Sequence, residues 1–260
     1  MNLVDVVIVT GAGRGIGRSI ALDFGKQGIP VLCISKSSNA GNVAKEITND
    51  GGIAESLSLD LSNYETVENE ISKWILKTSY KKIGIVLAAA ILGPKGPLTN
   101  CSLKEWDDCH RVNILGNLAV LKSLFPRMLE NKFGRIVMFS GGGAAYANPA
   151  FPGYSSTKTA TVRIAENIYE DLKDKGDFLI TCFGPGAVET DMLKEFRTGG
   201  GEVKATTKIE EPVLFVREFI NARTCGLSGR FVHVRNSWKE YINSSKTFDD
   251  DSMWKLRRVE

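Results

Sequence analysis

The stretch Val6-Val7-Ile8-Val9-Thr10-Gly11-Ala12-Gly13-Arg14-Gly15-Ile16-Gly17 decides the fold. Its first five residues are apolar and β-branched, the pattern of a strand buried on both faces. Glycines follow at 11, 13, 15 and 17, and then Ile16, Ile20, Ala21 and Phe24 recur at helical spacing as far as Gly28. The glycines therefore occupy a strand-to-helix turn. A turn built this way lets backbone N–H groups approach an anion without a Cβ in the way, and the helix behind it adds free donors and the positive end of its dipole. The stretch is read as a cradle for a phosphate-bearing ligand.

The same alternation runs outward through the chain. Strands are expected near 5–10, 30–35, 54–60, 84–90, 134–140, 177–183 and 229–234. Helices are expected near 15–27, 40–50, 64–78, 103–131, 153–175 and 210–223. Repeated β-α units of this kind imply an α/β fold, with a parallel sheet covered by helices on both sides.

A second motif lies far downstream, in Tyr154-Ser-Ser-Thr-Lys158. Val162, Ala165, Ile168 and Leu172 continue it at helical spacing, so Tyr154 and Lys158 share a helix face. A free phenol, with a pKa of about 10, is a poor base at neutral pH. A nearby ammonium favours the phenolate, and bringing the phenol close to neutrality takes roughly 4 kcal/mol. Ser140 closes the apolar run Arg135-Ile-Val-Met-Phe-Ser140, at the strand end where a parallel sheet opens to ligands. Its hydroxyl is suited to a substrate oxygen that develops negative charge.

Taken together, T-G-x-x-x-G-x-G, Ser140 and Y-x-x-x-K resemble the short-chain dehydrogenase/reductase family in its compact single-domain form. The resemblance extends from about Val4 to about Val234. It implies a Rossmann-type, doubly wound, seven-stranded parallel sheet in the order 3-2-1-4-5-6-7. It also implies hydride transfer between a nicotinamide and a carbonyl or secondary alcohol carbon. By the same resemblance Tyr154 is the acid/base and Ser140 the partner of the substrate oxygen. Lys158 tunes the phenol and anchors the ribose, and Asn113 supports a proton relay. Gly11, Gly13, Arg14, Gly15, Ile16 and Gly17 form the phosphate cradle. Asp60 and Leu61 flank the adenine, Ala88, Ala89 and Ala90 the adenosine ribose. Pro185, Gly186, Val188 and Thr190 wall the nicotinamide, where Tyr154 and Lys158 also touch the cofactor.

The second strand ends Val31-Leu-Cys-Ile-Ser35-Lys36, without the carboxylate that would select NAD through the ribose hydroxyl. Ser35, Lys36 and Arg14 surround the space of a 2′-phosphate, so NADP(H) is favoured and NAD(H) remains the alternative. One departure concerns the family's N-N-A-G after the fourth strand, where this chain reads Ala88-Ala-Ala-Ile91. The loss of both asparagines is expected to alter cofactor affinity without abolishing binding. Two further readings stay open: an NAD-dependent sugar or polyol dehydrogenase with the same residues, and a dinucleotide-binding regulator without turnover.

Composition narrows the remaining classes. At 260 residues the chain suits one α/β domain, expected over 1–237, with a polar tail over 238–260. Residues 191–208, with Gly199-Gly-Gly201, are expected to form a substrate lid. Lys95, Lys194 and Arg197 are candidate anion contacts in the substrate walls. A net charge of +3 offers no case for a nucleic acid partner. The longest apolar run, residues 83–92, is too short to span a bilayer, and no signal peptide is visible. Five cysteines and two histidines show no metal-ligand spacing, so no metal is expected. The cysteine pattern fits a reducing cytoplasm. The helices near 103–131 and 153–175 match the family's subunit interface, which implies a homodimer or homotetramer.

Overall fold

The structure, a computed structural model, describes residues 2–257. Seven parallel strands form the central sheet. They are β1 (Val6–Thr10), β2 (Val31–Ser35), β3 (Ala54–Ser58), β4 (Ile83–Leu87), β5 (Phe133–Phe139), β6 (Asp177–Gly184) and, after a two-stranded excursion, β9 (Phe231–His233). Their order, β3-β2-β1-β4-β5-β6-β9, is the expected one. The excursion pairs β7 (Ala187–Val188) with β8 (Thr206–Thr207), again in parallel.

Eight α-helices accompany the sheet among the described residues: α1 (Gly15–Lys26), α2 (Asn39–Asn49), α3 (Tyr64–Leu76), α4 (Leu103–His110), α5 (Asn117–Glu130), α6 (Pro152–Leu172), α7 (Asp191–Thr198) and α8 (Glu210–Ile220). Alternate residues of β1 feed opposite cores, because side chains in a strand alternate across the sheet. Val7 and Val9 pack with Phe24, Phe215 and Phe219. Val6 and Ile8 pack with Leu32, Ile71, Leu124 and Ile136. Each fully buried aliphatic or phenyl side chain contributes about 1.5–3 kcal/mol, so both cores drive folding. The edge strand β3 (Ala-Glu-Ser-Leu-Ser) is largely exposed, as its polar composition requires.

One expectation is corrected here. The helix expected over 103–131 is interrupted: Arg111–Gly116 are π-helical, between α4 and α5. Wider turns of this kind are uncommon and concentrate at functional sites. The glycine-bearing segment 191–208 has secondary structure of its own. It holds a two-turn helix, α7, capped by Thr190, whose hydroxyl accepts from Leu193 N, and it closes through β8.

Candidate active site

The site lies where β1, β4, β5 and β6 end. Gly11 leaves β1 at φ +69°, a left-handed conformation natural to glycine, and a Cβ there would come within 3.0 Å of the Ala89 backbone. Gly17 is inside α1, yet a Cβ on it would meet the Gly11 carbonyl at 2.4 Å, so the helix packs directly onto the turn. No side chain caps α1 and no acid stands in its first turn. Its leading N–H groups are thus free for an anion, as a pyrophosphate requires. These residues fit a dinucleotide.

At the ribose end, Ser35 Oγ accepts from Ala40 N and donates to Ser37 O, which orders the start of α2. Arg14 is exposed at the N-cap of α1. Lys36 Nζ lies 2.8 Å from Asp60 Oδ2, so the two residues expected at opposite ends of the adenosine hold one another. Burial by itself would raise the Asp60 pKa, but Lys36 and the Ser62 N–H and hydroxyl outweigh it and hold the carboxyl below its ordinary value. Asp60 does not cap the next helix; Asn63 does, accepting from Thr66 N. The side chain of Leu61 is buried in the core. Its carbonyl sits where a Cβ on Gly116 would come to 2.2 Å. Ile16 packs partly buried against the opposite core.

On the catalytic side, Tyr154 and Lys158 share one face of α6, with Lys158 Nζ 5.2 Å from the centre of the tyrosine ring. Lys158 is 4 % exposed, and its ammonium donates to Phe139 O at 2.9 Å. Ser140 Oγ donates to the Lys158 carbonyl at 2.9 Å, rather than standing free for a substrate oxygen. A buried hydroxyl takes the nearest available acceptor, and the α6 carbonyl provides it. Gly141 lies beside the Tyr154 hydroxyl, which would be in ordinary contact, 3.8 Å, with a Cβ there.

The titration of the pair differs from the expectation. Burial, followed by the neighbouring Cys109, pushes Tyr154 up to about 12. Burial brings Lys158 down to about 8. Desolvation is the largest cause of both shifts.

Asn113 is 5 % exposed and sits in the π-helical turn. Its amide brackets Ile91, accepting from Ile91 N at 2.8 Å and donating to Ile91 O at 2.9 Å, and it also donates to Thr157 Oγ1 at 3.0 Å. Thr157 in turn donates to Tyr154 O. Pro185 and Val188 are buried beside the half-buried Gly186 and Thr190. Ala88, Ala89 and Ala90 lie just beyond β4, half-buried.

Three surface loops meet above this floor. Phe196 of α7 stacks on Phe151 with ring centres 4.8 Å apart, and Lys95 pairs with Glu195 at 3.2 Å. Gly96 N donates to Ala150 O. Arg197 pairs with both carboxylate oxygens of Glu189, and Lys194 lies 3.6 Å from Asp191. All three cations considered as anion contacts are therefore paired with neighbouring acids. Among the described residues no group of three or more His, Cys, Asp or Glu is arranged to hold a metal.

Sequence reasoning overlooked Thr10, Asn117, Thr157 and the Phe151–Phe196 contact. Asn117 carried a faint signal, standing four residues after Asn113 on a helix.

A family model for short chain dehydrogenase matches residues 5–200. The chain belongs to the short-chain dehydrogenase family. It is accordingly an oxidoreductase. A short chain dehydrogenase of Pseudocercospora fijiensis is 28% identical over 188 residues, 71% of this chain and 60% of that relative. The chain thus spans less than two thirds of that relative's length. A 3-oxoacyl-[acyl-carrier-protein] reductase of Synechocystis is 28% identical over 191 residues, 73% of this chain and 76% of the relative. The crystal structure of a 3-oxoacyl (acyl-carrier-protein) reductase from Agrobacterium tumefaciens, with NADP bound, has a TM-score of 0.78 at 21% identity. It covers 89% of this chain and 93% of that one, a likeness of fold. No helix among the described residues is long and apolar enough to cross a membrane.

Proposed function

We propose that the protein is an NADP(H)-dependent reductase of ketones or aldehydes, equivalently a secondary alcohol dehydrogenase in reverse. Ser140, Tyr154, Lys158 and Asn113 form its catalytic set. The observation that carries the reading is the Tyr154–Lys158 pair on one face of α6, beside Ser140. Burial keeps the Tyr154 phenol protonated at neutral pH, the form that donates a proton to a nascent alkoxide. The Lys158 ammonium, charged below about pH 8, then stands beside the phenolate that is left. Ser140 would turn its hydroxyl from the Lys158 carbonyl to the substrate oxygen. A bound reduced dinucleotide would supply the hydride.

The preference for NADP rests on Lys36, Arg14 and the start of α2, which has no acid in its first turn. A 2′-phosphate there competes with Asp60 for Lys36, and the exposed Lys36–Asp60 pair is weak enough to yield. The Agrobacterium reductase with NADP bound is consistent with this choice. The test is a titration with NADPH and, separately, NADH, followed by protein fluorescence. Tighter binding of NADPH is expected, and a preference for NADH overturns the cofactor assignment.

We also propose a homo-oligomer assembled through the α4–α6 side. Leu98 and Leu103 are exposed there, around a groove of about 340 Å³ shared with Trp106, Asp107 and His110. A monomeric mass by light scattering at micromolar concentration would contradict this.

A further inference from the structure

The strand end after β4 carries Ala88, Ala89 and Ala90, none of which has a polar side chain to hold it. The backbone of its middle residue, Ala89, is nevertheless held at both its N–H and its carbonyl. Ala89 N donates to Thr10 Oγ1 at 3.1 Å, and Thr10 Oγ1 donates to Asn117 Oδ1 at 2.7 Å. Asn117 Nδ2 donates to Ala89 O at 3.0 Å. The same amide nitrogen reaches Val112 O and Asn113 O, each at 3.2 Å. Those two carbonyls belong to the π-helical turn, whose wider winding leaves them within reach of a side chain. Thr10 is fully buried and Asn117 is 3 % exposed, so each of these groups depends on the others for its partner.

We infer that Asn117 is a positioning residue that joins the phosphate cradle to the catalytic helix, supplying from α5 the side-chain amide that the end of β4 lacks. The inference rests on the dinucleotide reading of the site. Thr10 immediately precedes Gly11, and Gly11 packs against the Ala89 backbone. By holding Thr10 and both sides of Ala89, Asn117 fixes the cradle against the strand end that faces the ribose. One turn earlier on the same helical run, Asn113 holds Ile91 and touches Thr157 of α6. Thr157 bonds the Tyr154 carbonyl. An unbroken run of polar contacts thus leads from Thr10 to Tyr154. It sets where a dinucleotide bound in the cradle lies relative to the phenol. Asn117 itself does not touch the reacting atoms.

The experiment compares Asn117→Ala, Thr10→Val, Thr10→Ser and the double variant Thr10→Val/Asn117→Ala on full-length protein. Folded state is checked by circular dichroism at a temperature well below each transition. The readouts are the Kd for NADPH by fluorescence and, where a carbonyl substrate turns over, kcat against KM. Asn117→Ala and Thr10→Val are each expected to raise the Kd about tenfold. The double variant is expected to be no worse than the worse single, because both changes break one linkage. Thr10→Ser, which keeps the hydroxyl, is expected to stay within about twofold of the parent. Loss of stability with an unchanged Kd overturns the inference, since it leaves Asn117 a purely structural residue. Additive effects of the two changes overturn it as well. If Asn117→Ala does not fold, the Thr10→Val and Thr10→Ser pair decides, and equal Kd values for those two count against the linkage. Failure of the unmodified protein to bind either dinucleotide is a separate result, seen before any variant is made, and it removes the functional reading together with the inference.

Discussion

At the scale of single residues, the site joins the half-buried Tyr154 and the buried Lys158, whose pKa values are shifted chiefly by desolvation. Tyr154 at about 12 holds its proton, and Lys158 at about 8 gives its proton up more readily than a free lysine. Tyr154→Phe removes the proton donor without disturbing the cradle. It is expected to lower turnover by about 10²–10⁴-fold while NADPH binding stays intact, as read by steady-state kinetics beside a binding titration. Lys158 has the opposite character. Its folded pKa lies below its unfolded value of 10.5, so charging it opposes folding. That penalty is fully present below about pH 8 and is relieved as the pH rises from about 8 toward 10.5. Lys158→Met should therefore stabilise the fold at pH 7, by about 1–3 kcal/mol once the lost bond to Phe139 O is set against the gain. The gain should vanish near pH 10, and thermal melts at the two pH values check this. Tyr154 and Lys158 were legible from their spacing. The direction of the phenol's shift was not, because a sequence does not reveal how far two groups on one helix are removed from water.

At the scale of elements, the glycine turn and α1 follow local rules: β-branched residues, then glycines, then a helical period. The interruption of α4–α5 does not. Residues 103–131 read as one helical run by composition, and the π turn is held by Asn113 and Asn117 reaching the strand end at 89–91. The segment 191–208 is a second case. Glycines lower the cost of backbone motion, yet Gly199 and Gly201 lie close against the rings of Phe151 and Phe196. The small residues there let two rings close over each other. Phe196→Ala should loosen this closure, with faster proteolysis between residues 199 and 205 and a KM for a carbonyl substrate about tenfold higher. The acid/base chemistry and its pH profile should be unchanged. Limited proteolysis and initial rates distinguish this from a catalytic effect.

At the scale of the whole molecule, the polar tail is drawn back onto the sheet. Phe231 N, on the outer edge of β9, donates to Trp254 O at 2.6 Å. Arg230 donates to the Asp251 and Met253 carbonyls and lies over the Phe248 ring, 4.0 Å from its centre. Tyr241, Phe248 and Trp254 pack ring against ring. Glu166 of α6 accepts from Leu256 N at 2.7 Å and from Arg257 at 3.0 Å. Arg258, the last basic residue of the tail's C-terminal run, lies outside the described residues along with Val259 and Glu260. An open strand edge invites association with other chains, and this tail closes one. Removing residues 249–260 uncovers the β9 edge and takes away the partners of Arg230 in Asp251 and Met253. A lower midpoint in urea unfolding is expected, with aggregation on warming. Unchanged unfolding would show that the tail contributes nothing to the fold.

The sequence by itself determined the order of strands and helices, the glycine cradle and the tyrosine–lysine face. Each of these depends on near neighbours in the chain: a period of two or 3.6, a missing Cβ, a spacing of four. Only the tertiary structure decided that Lys36 is held by Asp60 and that Lys95, Lys194 and Arg197 are each paired with a neighbouring acid. It alone joined Thr10 to Asn117 across 107 residues and brought the tail to cover β9. These outcomes depend on which buried donor meets which acceptor once water is excluded, and that pairing exists only when distant segments have been packed together.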